Sequence, residues 1–543
     1  MTNDPDLSHA MSAIGRRQFD EAAALLSELL VRQPGNVRAR WLLIQTLESQ
    51  QQTDSAREQL RLLLNHVGKD LPAIDRIAEH MWRRRYALSP VLRAYEKYLK
   101  KRPESSSAAF NFAYYLSRDA QFEAAIRQYK RALASGISAP EEVHLNIANI
   151  YMDHLLDHGR ARAHFEKALA LKPDYASAFY NLGNLAEQEG KRDEARENFE
   201  KCLQADPANE SALARLADTK KFTSGADSLL TRLAAAARDS SNPDIHFAFG
   251  KACEQLGNYA PAWQHFSQGN ALDARALPAY RPEVARQGVE RIMAQYDAEW
   301  LGQFAGESTD PVFICGMFRS GSTLLEQMLA AHPAFFAGGE SEFFPRLVAR
   351  ELPAYPDGVA SITHEKIRAW RRQHATLGER LVAGSARLTD KRPDNFLYAG
   401  LIKAVLPAAR FVITERDWRD VATSVYSVRL GAGQAYATDL VNIRHYIDLQ
   451  TELVNHWASL LGPDLLRIRY EDLVQQPRAT MTRLLEWLGE ERSERCLSFH
   501  TLTNSVKTAS VWQVREPLHA RSIGRWQHYR QAFAAAFGDD LDD

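Results

Sequence analysis

The sequence predicts an all-α solenoid of helical repeats followed by an α/β domain with a central parallel sheet. Two observations carry this prediction. In the first half, proline, glycine and aromatic residues recur in units of 34 residues, the period of a paired-helix repeat. In the second half, a short apolar run is followed by a glycine-containing loop and then by helical periodicity, the order of a βα unit. We assign residues 1–275 to the solenoid, 276–309 to a connecting helix and linker, and 310–543 to the α/β domain.

The clearest repeat unit lies between Pro173 and Pro207, and other units match it in part. Small residues at fixed positions let two antiparallel helices approach, aromatic residues fill the groove, and the proline ends the second helix. The pattern resembles the tetratricopeptide repeat, and because each unit buries its faces against its neighbours, the units should form one continuous array. The matching positions in the clearest unit are Phe179, Leu182, Gly183, Ala195, Phe199 and Cys202.

The repeats predict a surface for a protein or peptide, which is either the substrate or a separate partner. An array that only scaffolds or dimerises is the alternative, and the sequence does not predict the oligomeric state. The basic cluster at residues 83–85 is expected to be a solvated helix face.

Composition excludes several classes of function. The formal net charge is −1, with 45% hydrophobic and 25% charged residues, so no global charge favours nucleic acid or a membrane surface. The four cysteines are far apart, which argues against a metal or redox motif and indicates thiols in a reducing compartment. The first residues lack the pattern of a signal peptide, and no apolar stretch is long enough to span a bilayer. We therefore expect a cytoplasmic protein.

Residues 281–304 have helical apolar spacing and predict one helix that joins the two halves. Residues 306–310 then read as a short linker. On this interpretation, a chain that begins near Asp297 should still bind its ligand.

The βα unit carries the strongest functional pattern. Residues 311–315 are apolar, as in a strand buried on both faces, and residues 316–323 form a loop with the G-x4-G spacing of a Walker A motif. Ser322 stands where a nucleoside triphosphatase has its lysine, and the basic residue is instead Arg319, inside the loop. This departure argues against ATP hydrolysis, whereas an arginine fork and several hydroxyl groups suit a 5′-phosphate or a phosphosulfate.

Two further stretches contain candidate catalytic groups. Glu340 follows a glycine pair at the end of a predicted second strand, which places it at the ligand-bearing edge of the sheet as a candidate general base. Lys391 precedes a helical run and can neutralise charge on a transferring group. Taken alone, a surface acid in a turn and a solvated loop cation explain these two residues equally well.

Two more stretches supply binding groups. An apolar strand from Ala409 delivers Arg416 at its carboxyl end, and Ser424 lies two turns into the following helix, a spacing that suits a second phosphate. Another strand, at residues 466–470, ends in polar residues.

In this order, the motifs resemble the sulfotransferase superfamily, whose members use 3′-phosphoadenosine 5′-phosphosulfate (PAPS). The resemblance implies a sulfuryl transfer without a metal and covers the C-terminal two-fifths of the chain. It implies catalytic roles for Glu340, Lys391 and Ser510. It also implies nucleotide contacts for Arg319, Ser320, Gly321, Ser322, Thr323, Arg416, Ser424, Tyr470 and Arg525.

Within this superfamily, the chain is most similar to the tyrosylprotein sulfotransferases. Two departures separate it from them. Glu342 replaces an arginine that contacts the acceptor in that group, and Val428 stands where a further 3′-phosphate arginine is expected, with Arg429 one position later. We also expect the protein to lack the secretory anchor of that group. The resemblance therefore implies the cofactor and the reaction, and leaves a tyrosyl peptide, a glycan or a small molecule open as the acceptor. An inactive nucleotide-binding domain on an interaction scaffold is the alternative function.

Overall fold

The computed structural model describes residues 4–381, 386–431, 433–508 and 510–538. The chain is divided between Leu182 and Gly183 into two compact units. Within the described residues, no helix is long and apolar enough to cross a bilayer.

The first unit consists of helices that pack against their neighbours in sequence, as the repeat prediction requires. Several begin at a capping residue; Asn36, for example, accepts a hydrogen bond from the Ala39 N–H at 3.0 Å. These helices are α1 (Pro5–Gly15), α2 (Phe19–Arg32), α3 (Val37–Ser49), α4 (Thr53–Val67), α5 (Leu71–Arg83), α6 (Ser89–Lys101), α7 (Ser106–Arg118), α8 (Phe122–Ala134), α9 (Pro140–Asp153) and α10 (His158–Leu171), and α11 (Ala176–Gln188) spans the division.

The repeat pattern continues into the second unit. A Cβ atom on Gly183 would lie 2.5 Å from the Phe199 ring, and a Cβ atom on Gly250 would lie 2.6 Å from the Phe266 ring. Both pairs show the same close approach of two helices, which only glycine allows, and this confirms the repeat interpretation. The helices are α12 (Arg192–Ala205), α13 (Glu210–Asp218), α14 (Ser228–Asp239), α15 (Pro243–Gln255) and α16 (Tyr259–Ala276).

The segment expected to be one connecting helix forms two, α17 (Pro282–Gln295) and α18 (Ala298–Gly302). The break follows from Asp297, whose carboxylate accepts a hydrogen bond from the Trp300 N–H at 2.7 Å and starts a new helix. Tyr296, at the break, is 2% exposed and packs in the core of the α/β domain. This segment therefore contributes to that core.

In the described part of the chain, five parallel strands form the central sheet in the order β2-β3-β1-β4-β5. Strand β3 was not expected, because its sequence is largely polar. It pairs with β1 through Phe313 and Asp390. The strands are β1 (Val312–Gly316), β2 (Phe335–Ala337), β3 (Arg387–Asp390), β4 (Arg410–Glu415) and β5 (Leu465–Arg469).

Helices cover both faces of the sheet. Alternate residues of β1 enter opposite cores, with Phe313 and Cys315 in one and Val312 and Ile314 in the other, which explains why the whole strand is apolar. The helices are α19 (Ser322–Ala330), α20 (Phe343–Glu351), α21 (His364–Leu381), α22 (Ala399–Val405), α23 (Trp418–Tyr426), α24 (Leu440–Leu461), α25 (Tyr470–Gln475), α26 (Pro477–Leu488) and α27 (Arg530–Phe537). Short 3-10 turns occupy Val359–Ser361, Pro393–Tyr398, Ala435–Thr438, Gly462–Asp464, Glu494–Thr501, Gln513–Arg515 and Arg525–Tyr529.

Candidate functional site

The candidate functional residues follow the strands at one edge of the sheet. Because the strands are parallel, their carboxyl ends meet at the same edge, where ligands bind in open α/β sheets. The glycine loop follows β1, and the segment with Glu340 follows β2. Directly after β3, β4 and β5 come Lys391, Arg416 and Tyr470, respectively.

The glycine loop after β1 depends on two glycines in the left-handed region of backbone space. Gly316 has φ 147°, and a Cβ atom there would lie 2.4 Å from the Thr414 carbonyl oxygen. Gly321 has φ 102°, and a Cβ atom there would lie 2.6 Å from the Tyr470 ring. Ser320 is buried and bonds the Met317 carbonyl at 2.7 Å and Thr414 Oγ1 at 2.6 Å, so its side chain holds the loop against β4.

Ser322 begins helix α19, and Thr323 follows in its first turn. The first N–H groups of a helix lack intrahelical partners, and the helix dipole is positive at this end. Together with the loop, this start of α19 presents donors and positive charge to an anion.

Arg319 joins the loop to two distant parts of the chain. Its Nε donates to Ser424 Oγ at 3.0 Å, its Nη1 donates to Ser510 Oγ, and its Nη2 donates to Gln513 Oε1 at 2.9 Å. The backbone of Arg319 has φ 71°, an uncommon conformation for a residue other than glycine. The Arg319 guanidinium group thus binds both Ser424, which is predicted to contact the nucleotide, and Ser510, which is predicted to be catalytic.

Arg416 lies under the same loop. Its Nη1 donates to the Arg319 carbonyl at 3.0 Å, and its Nη2 donates to the Ser522 carbonyl. The guanidinium group also lies 4.6 Å from the centre of the Tyr470 ring, a cation–π distance. Arg416 therefore connects β4, the glycine loop and the C-terminal segment.

Arg525 approaches from the C-terminal segment. Its Nε and Nη2 donate to the two carboxylate oxygens of Glu254 at 2.5 and 2.7 Å, and Nη2 also donates to Ser427 Oγ at 3.0 Å. Burial acts to lower the pKa of Arg525, but the Glu254 carboxylate outweighs it and raises the pKa.

Positive charge is concentrated in one pocket. Burial lowers the pKa of Arg319 to about 10, and the charges of Arg416 and Arg525 add to this effect. Burial also lowers the pKa of Arg416. The pocket is lined by Arg319, Gly321, Ser322, Thr323, Leu324, Arg416, Ser424, Tyr470, Phe499, Ser510, Gln513, Val514, Glu516, Pro517, Leu518, His519, Ser522 and Arg525.

Glu340 and Lys391 form a separate pair at the same edge of the sheet. Lys391 Nζ donates to Glu340 Oε1 at 2.5 Å, and the exposed fractions of the two side chains are 1% for the lysine and 33% for the glutamate. The Lys391 N–H also donates to the Gly339 carbonyl at 2.8 Å, so a backbone hydrogen bond joins the segment after β3 to the segment after β2. The pair thus presents an accessible carboxylate oxygen backed by a buried ammonium group.

Glu326, on α19, supports this pair from below. Its Oε1 accepts hydrogen bonds from the Gly339 N–H and from Thr389 Oγ1, both at 3.0 Å. Burial raises the pKa of the Glu326 carboxyl, and the charge of Lys391 opposes that rise. The helix that begins at the glycine loop therefore also holds the segment that carries Glu340.

Two residues that depart from the tyrosylprotein sulfotransferase pattern lie away from the pocket lining. Glu342 precedes α20 and pairs with Arg346. Arg429 donates to Asp273 at 3.0 Å and to Asp244 at 3.2 Å, so acids of the repeat helices engage its charge.

The pocket collects most of the residues proposed for nucleotide binding, together with Ser510. Ser320 is absent from the lining because its side chain bonds Met317 and Thr414, and Glu340 and Lys391 form their own pair. Sequence reasoning missed Gln513, although it stands in a motif that the resemblance covers. It also missed Asp420, whose carboxylate accepts from the Gly524 N–H at 2.7 Å and from the Trp526 N–H at 3.0 Å. No local sequence signal links Asp420 to residues so far away.

Comparison with known proteins supports the two-part organisation. Residues 311–494 match a model described as the sulfotransferase family, and residues 13–79, 141–175 and 176–209 match tetratricopeptide repeat models. The C-terminal region is therefore a sulfotransferase-family domain, and the N-terminal region carries tetratricopeptide repeats, as the motifs predicted.

Among the relatives, an uncharacterized protein of Aquifex aeolicus is 25% identical over 66% of this chain and 49% of its own length. Protein-tyrosine sulfotransferase A of Caenorhabditis elegans is 25% identical over 40% of this chain and 60% of its own length. The Drosophila melanogaster protein-tyrosine sulfotransferase is 26% identical over 40% of this chain and 46% of its own length. The chain thus spans about half the length of the Aquifex relative.

Among solved structures, the sulfotransferase domain of the Synechococcus PCC 7002 olefin synthase shares 20% identity over 43% of this chain and 97% of its own, with a TM-score of 0.32. The tetratricopeptide repeat protein YrrB shares 20% identity over 33% of this chain and 92% of its own, with a TM-score of 0.27.

Proposed function

We propose that this protein transfers a sulfuryl group from PAPS to a hydroxyl or amine of an acceptor. The observation that carries the proposal is the convergence of Arg319, Arg416 and Arg525 on one pocket, at the sheet edge that also bears the Glu340–Lys391 pair. A cationic pocket beside a carboxylate and an ammonium group suits a doubly anionic donor and the transfer of one of its groups.

The two ends of the donor have separate binding groups. The glycine loop, the start of α19 and Arg319 suit the 5′-phosphosulfate, because they combine backbone N–H donors with a guanidinium fork. Arg416 and Ser424 suit the 3′-phosphate, with Arg525 beside the same helix through Ser427. Clustered guanidinium groups repel one another where solvent is limited, and a ligand with two anionic groups relieves that repulsion.

The reaction assigns a role to each catalytic candidate. Glu340 accepts the proton from the acceptor hydroxyl as the acceptor oxygen forms a bond to sulfur. The bond between sulfur and the bridging phosphate oxygen breaks, and the electron pair leaves with that oxygen. Lys391 and Ser510 stabilise the negative charge that develops on the transferring group and the bridging oxygen. As in phosphoryl transfer, positioning and charge stabilisation contribute most of the rate.

Ser322 makes a kinase or triphosphatase reaction a poor fit. It stands at the start of α19, where those enzymes place the lysine that reaches the terminal phosphates. Within the described residues, no group of three or more His, Cys, Asp or Glu is placed to hold a metal ion.

The acceptor proposed is a tyrosyl peptide or a glycan, recruited by the repeats either directly or through a partner. Relatives named protein-tyrosine sulfotransferase support the peptide, whereas Glu342, in place of an arginine, points to an acceptor with different charge near the base. We propose a reducing, cytoplasmic setting, which the four buried free thiols support.

Ligand-dependent thermal stability tests the nucleotide assignment. Adenosine 3′,5′-bisphosphate should raise the melting temperature more than AMP does, because a ligand that binds only the folded state stabilises it according to its affinity. Arg416→Ala should remove most of that preference. Equal shifts with the two nucleotides would exclude PAPS as the donor.

Transfer of labelled sulfate from PAPS to a panel of tyrosyl peptides and glycans tests the reaction. A protein that binds the bisphosphate but labels no acceptor, and leaves cellular sulfated products unchanged when its gene is deleted, would be a nucleotide-binding scaffold instead.

A further inference from the structure

A segment that we call the strap, Ser510–Arg525, closes one side of the nucleotide pocket. Its pocket-lining residues include Ser510, Gln513, Glu516, Ser522 and Arg525. Most of the strap lies outside regular helices and strands, so contacts from elsewhere must hold its side chains in place. Those contacts decide the shape of the pocket.

The repeat region of the second unit supplies three of these contacts. Glu254, on α15, binds Arg525 through both carboxylate oxygens. Lys221, which follows α13, binds Glu516 at 2.8 Å. The guanidinium group of Arg192, on α12, lies 4.8 Å from the centre of the Trp512 ring. The strap is therefore attached to the repeats at its beginning, middle and end.

The contact at the end of the strap has the clearest functional consequence. The side chains of Arg525 and Glu254 are 20% and 17% exposed, so water screens the pair only partly. A bidentate carboxylate fixes the plane of a guanidinium group as well as its position. Glu254 engages Nε and Nη2, so it sets the direction of the remaining nitrogen, Nη1, of a residue that lines the pocket.

Arg525 also contacts the helix that carries the proposed 3′-phosphate site. Its Nη2 donates to Ser427, immediately after α23, and Ser424 lies on α23 itself. Asp420, on the same helix, accepts from the N–H groups on either side of Arg525. The geometry thus places Arg525 between a repeat helix and the 3′ end of the nucleotide pocket.

We propose that Glu254 is a positioning residue for the 3′-phosphate: the repeat helix α15 orients Arg525 and thereby sets the preference for a 3′-phosphorylated nucleotide. This inference rests on the proposed function, because it assumes that the pocket binds such a nucleotide. It assigns to the late repeats a part in binding the donor, in addition to any part in recruiting the acceptor.

The test measures binding of adenosine 3′,5′-bisphosphate and of AMP to the full chain carrying Glu254→Gln. The amide keeps the shape of the side chain but removes the charge and turns one acceptor into a donor that faces Arg525. Bisphosphate affinity should fall about tenfold, the scale of one charge-assisted hydrogen bond, while AMP affinity stays within about twofold. In the transfer reaction, KM for PAPS should rise more than kcat falls.

Two variants serve as references. Lys251→Ala removes an ion pair with Asp218 from the same helix, α15, without touching the strap, and should bind both nucleotides as the unaltered chain does. Glu254→Asp keeps the charge and loses reach, so its bisphosphate affinity should lie between those of the unaltered chain and Glu254→Gln. Should Glu254→Gln fail to fold, the comparison of Glu254→Asp with Lys251→Ala decides the question.

The outcomes separate the two proposals. If the unaltered chain shows no preference for the bisphosphate, the proposed function is wrong. If it shows that preference and Glu254→Gln retains it, or loses affinity for both nucleotides by the same factor, the positioning role of Glu254 is wrong and the proposed function stands.

Discussion

At the scale of single residues, Arg319 shows how one side chain can combine distant parts of a site. It bonds Ser424, Ser510 and Gln513, which stand more than a hundred positions away in the sequence. Burial and the neighbouring cations lower its pKa to about 10, yet at neutral pH the guanidinium group remains charged. The energetic cost of this crowding is the physical reason to expect an anionic ligand at this point.

Glu340→Gln should lower sulfuryl transfer by about a hundredfold or more, the scale of a positioned general base. Nucleotide affinity should change little, because Glu340 does not line the nucleotide pocket. Single-turnover transfer and a binding titration measure the two effects.

Glu342→Gln is the matched control for that measurement. Glu342 is 52% exposed and pairs with Arg346 rather than with Lys391, so its loss should leave the transfer step intact. It should alter the apparent affinity for the acceptor, because it stands where the resemblance places an acceptor-contacting residue. A slow transfer step in Glu342→Gln, with Glu340→Gln near normal, would reverse the two roles.

At the scale of elements, the strand–loop–helix unit from β1 to α19 organises both halves of the site. The loop at the start of α19 is the proposed donor site, and Glu326 within α19 bonds the segment that carries Glu340, the proposed base. Tyr470, directly after β5, packs against the loop where Gly321 leaves room for its ring. Movement of this unit would therefore disturb nucleotide binding and the catalytic pair together.

Gly321→Ala tests the packing of this unit. A side chain at φ 102° is strained by about 1–3 kcal/mol, and the new Cβ atom would lie 2.6 Å from the Tyr470 ring. Both the melting temperature and the bisphosphate affinity should fall.

Gly358→Ala provides the control, because its φ is −82° and no atom lies within 4 Å of the added Cβ. Its stability and nucleotide affinity should match those of the unaltered chain. Normal bisphosphate affinity in Gly321→Ala would show that the close contact between the loop and Tyr470 is not needed for binding.

Helix α21 contributes a pH-dependent element. His374 is 3% exposed and packs against the rings of Phe343 and Phe344, and burial lowers its pKa to about 4. The unfolded chain has a histidine pKa of about 6.5, so between these two values the unfolded state binds a proton that the folded state does not. Stability contributed by the neutral ring is therefore present above about pH 6.5 and is lost as the pH falls toward 4.

His374→Phe should remove this part of the pH dependence. The variant's unfolding free energy, relative to that of the unaltered chain, should rise as the pH falls from 6.5 to 4, by up to about 3 kcal/mol. Denaturant titrations at several pH values measure it, and a difference that does not vary with pH would contradict the prediction.

At the scale of the whole molecule, the late repeats and the sulfotransferase-family domain share one core in the second unit. Ala262 and Phe266 of α16 pack in the same cluster as Val421, Trp526 and Phe533. The compact unit begins at Gly183, whereas the linker predicted at residues 306–310 indicated a boundary near residue 310. Part of the repeat array is thus built into the fold that holds the proposed nucleotide pocket.

Truncation tests how far this integration reaches. A chain that begins at Pro173 keeps α11 and the whole second unit, and should bind adenosine 3′,5′-bisphosphate like the full chain. A chain that begins at Asp297 loses Glu254, Lys221 and the apolar residues of α17, and should bind weakly or fail to fold. Full binding by the shorter chain would support the sequence-based boundary instead.

The amino-acid sequence by itself determined the classes of structure, and its motifs with the family resemblance identified about half of the residues that line the pocket. Repeat spacing predicts paired helices, because small and aromatic residues must recur where helices touch, as at Gly183 and Phe199. The apolar run before Gly316 predicts a buried strand, because both faces of β1 are covered. Each of these patterns is local, so it can be read from neighbouring positions.

Only the tertiary structure decided which distant groups meet. Strand β3 forms although its own sequence is polar, because its pairing with β1 and β2 outweighs local preference. The bond between Glu254 and Arg525 joins residues 271 positions apart, and the contact of Arg429 with Asp273 turns a candidate nucleotide ligand toward the repeats. Such contacts depend on how helices and strands pack, and packing is a property of the folded chain rather than of any segment within it.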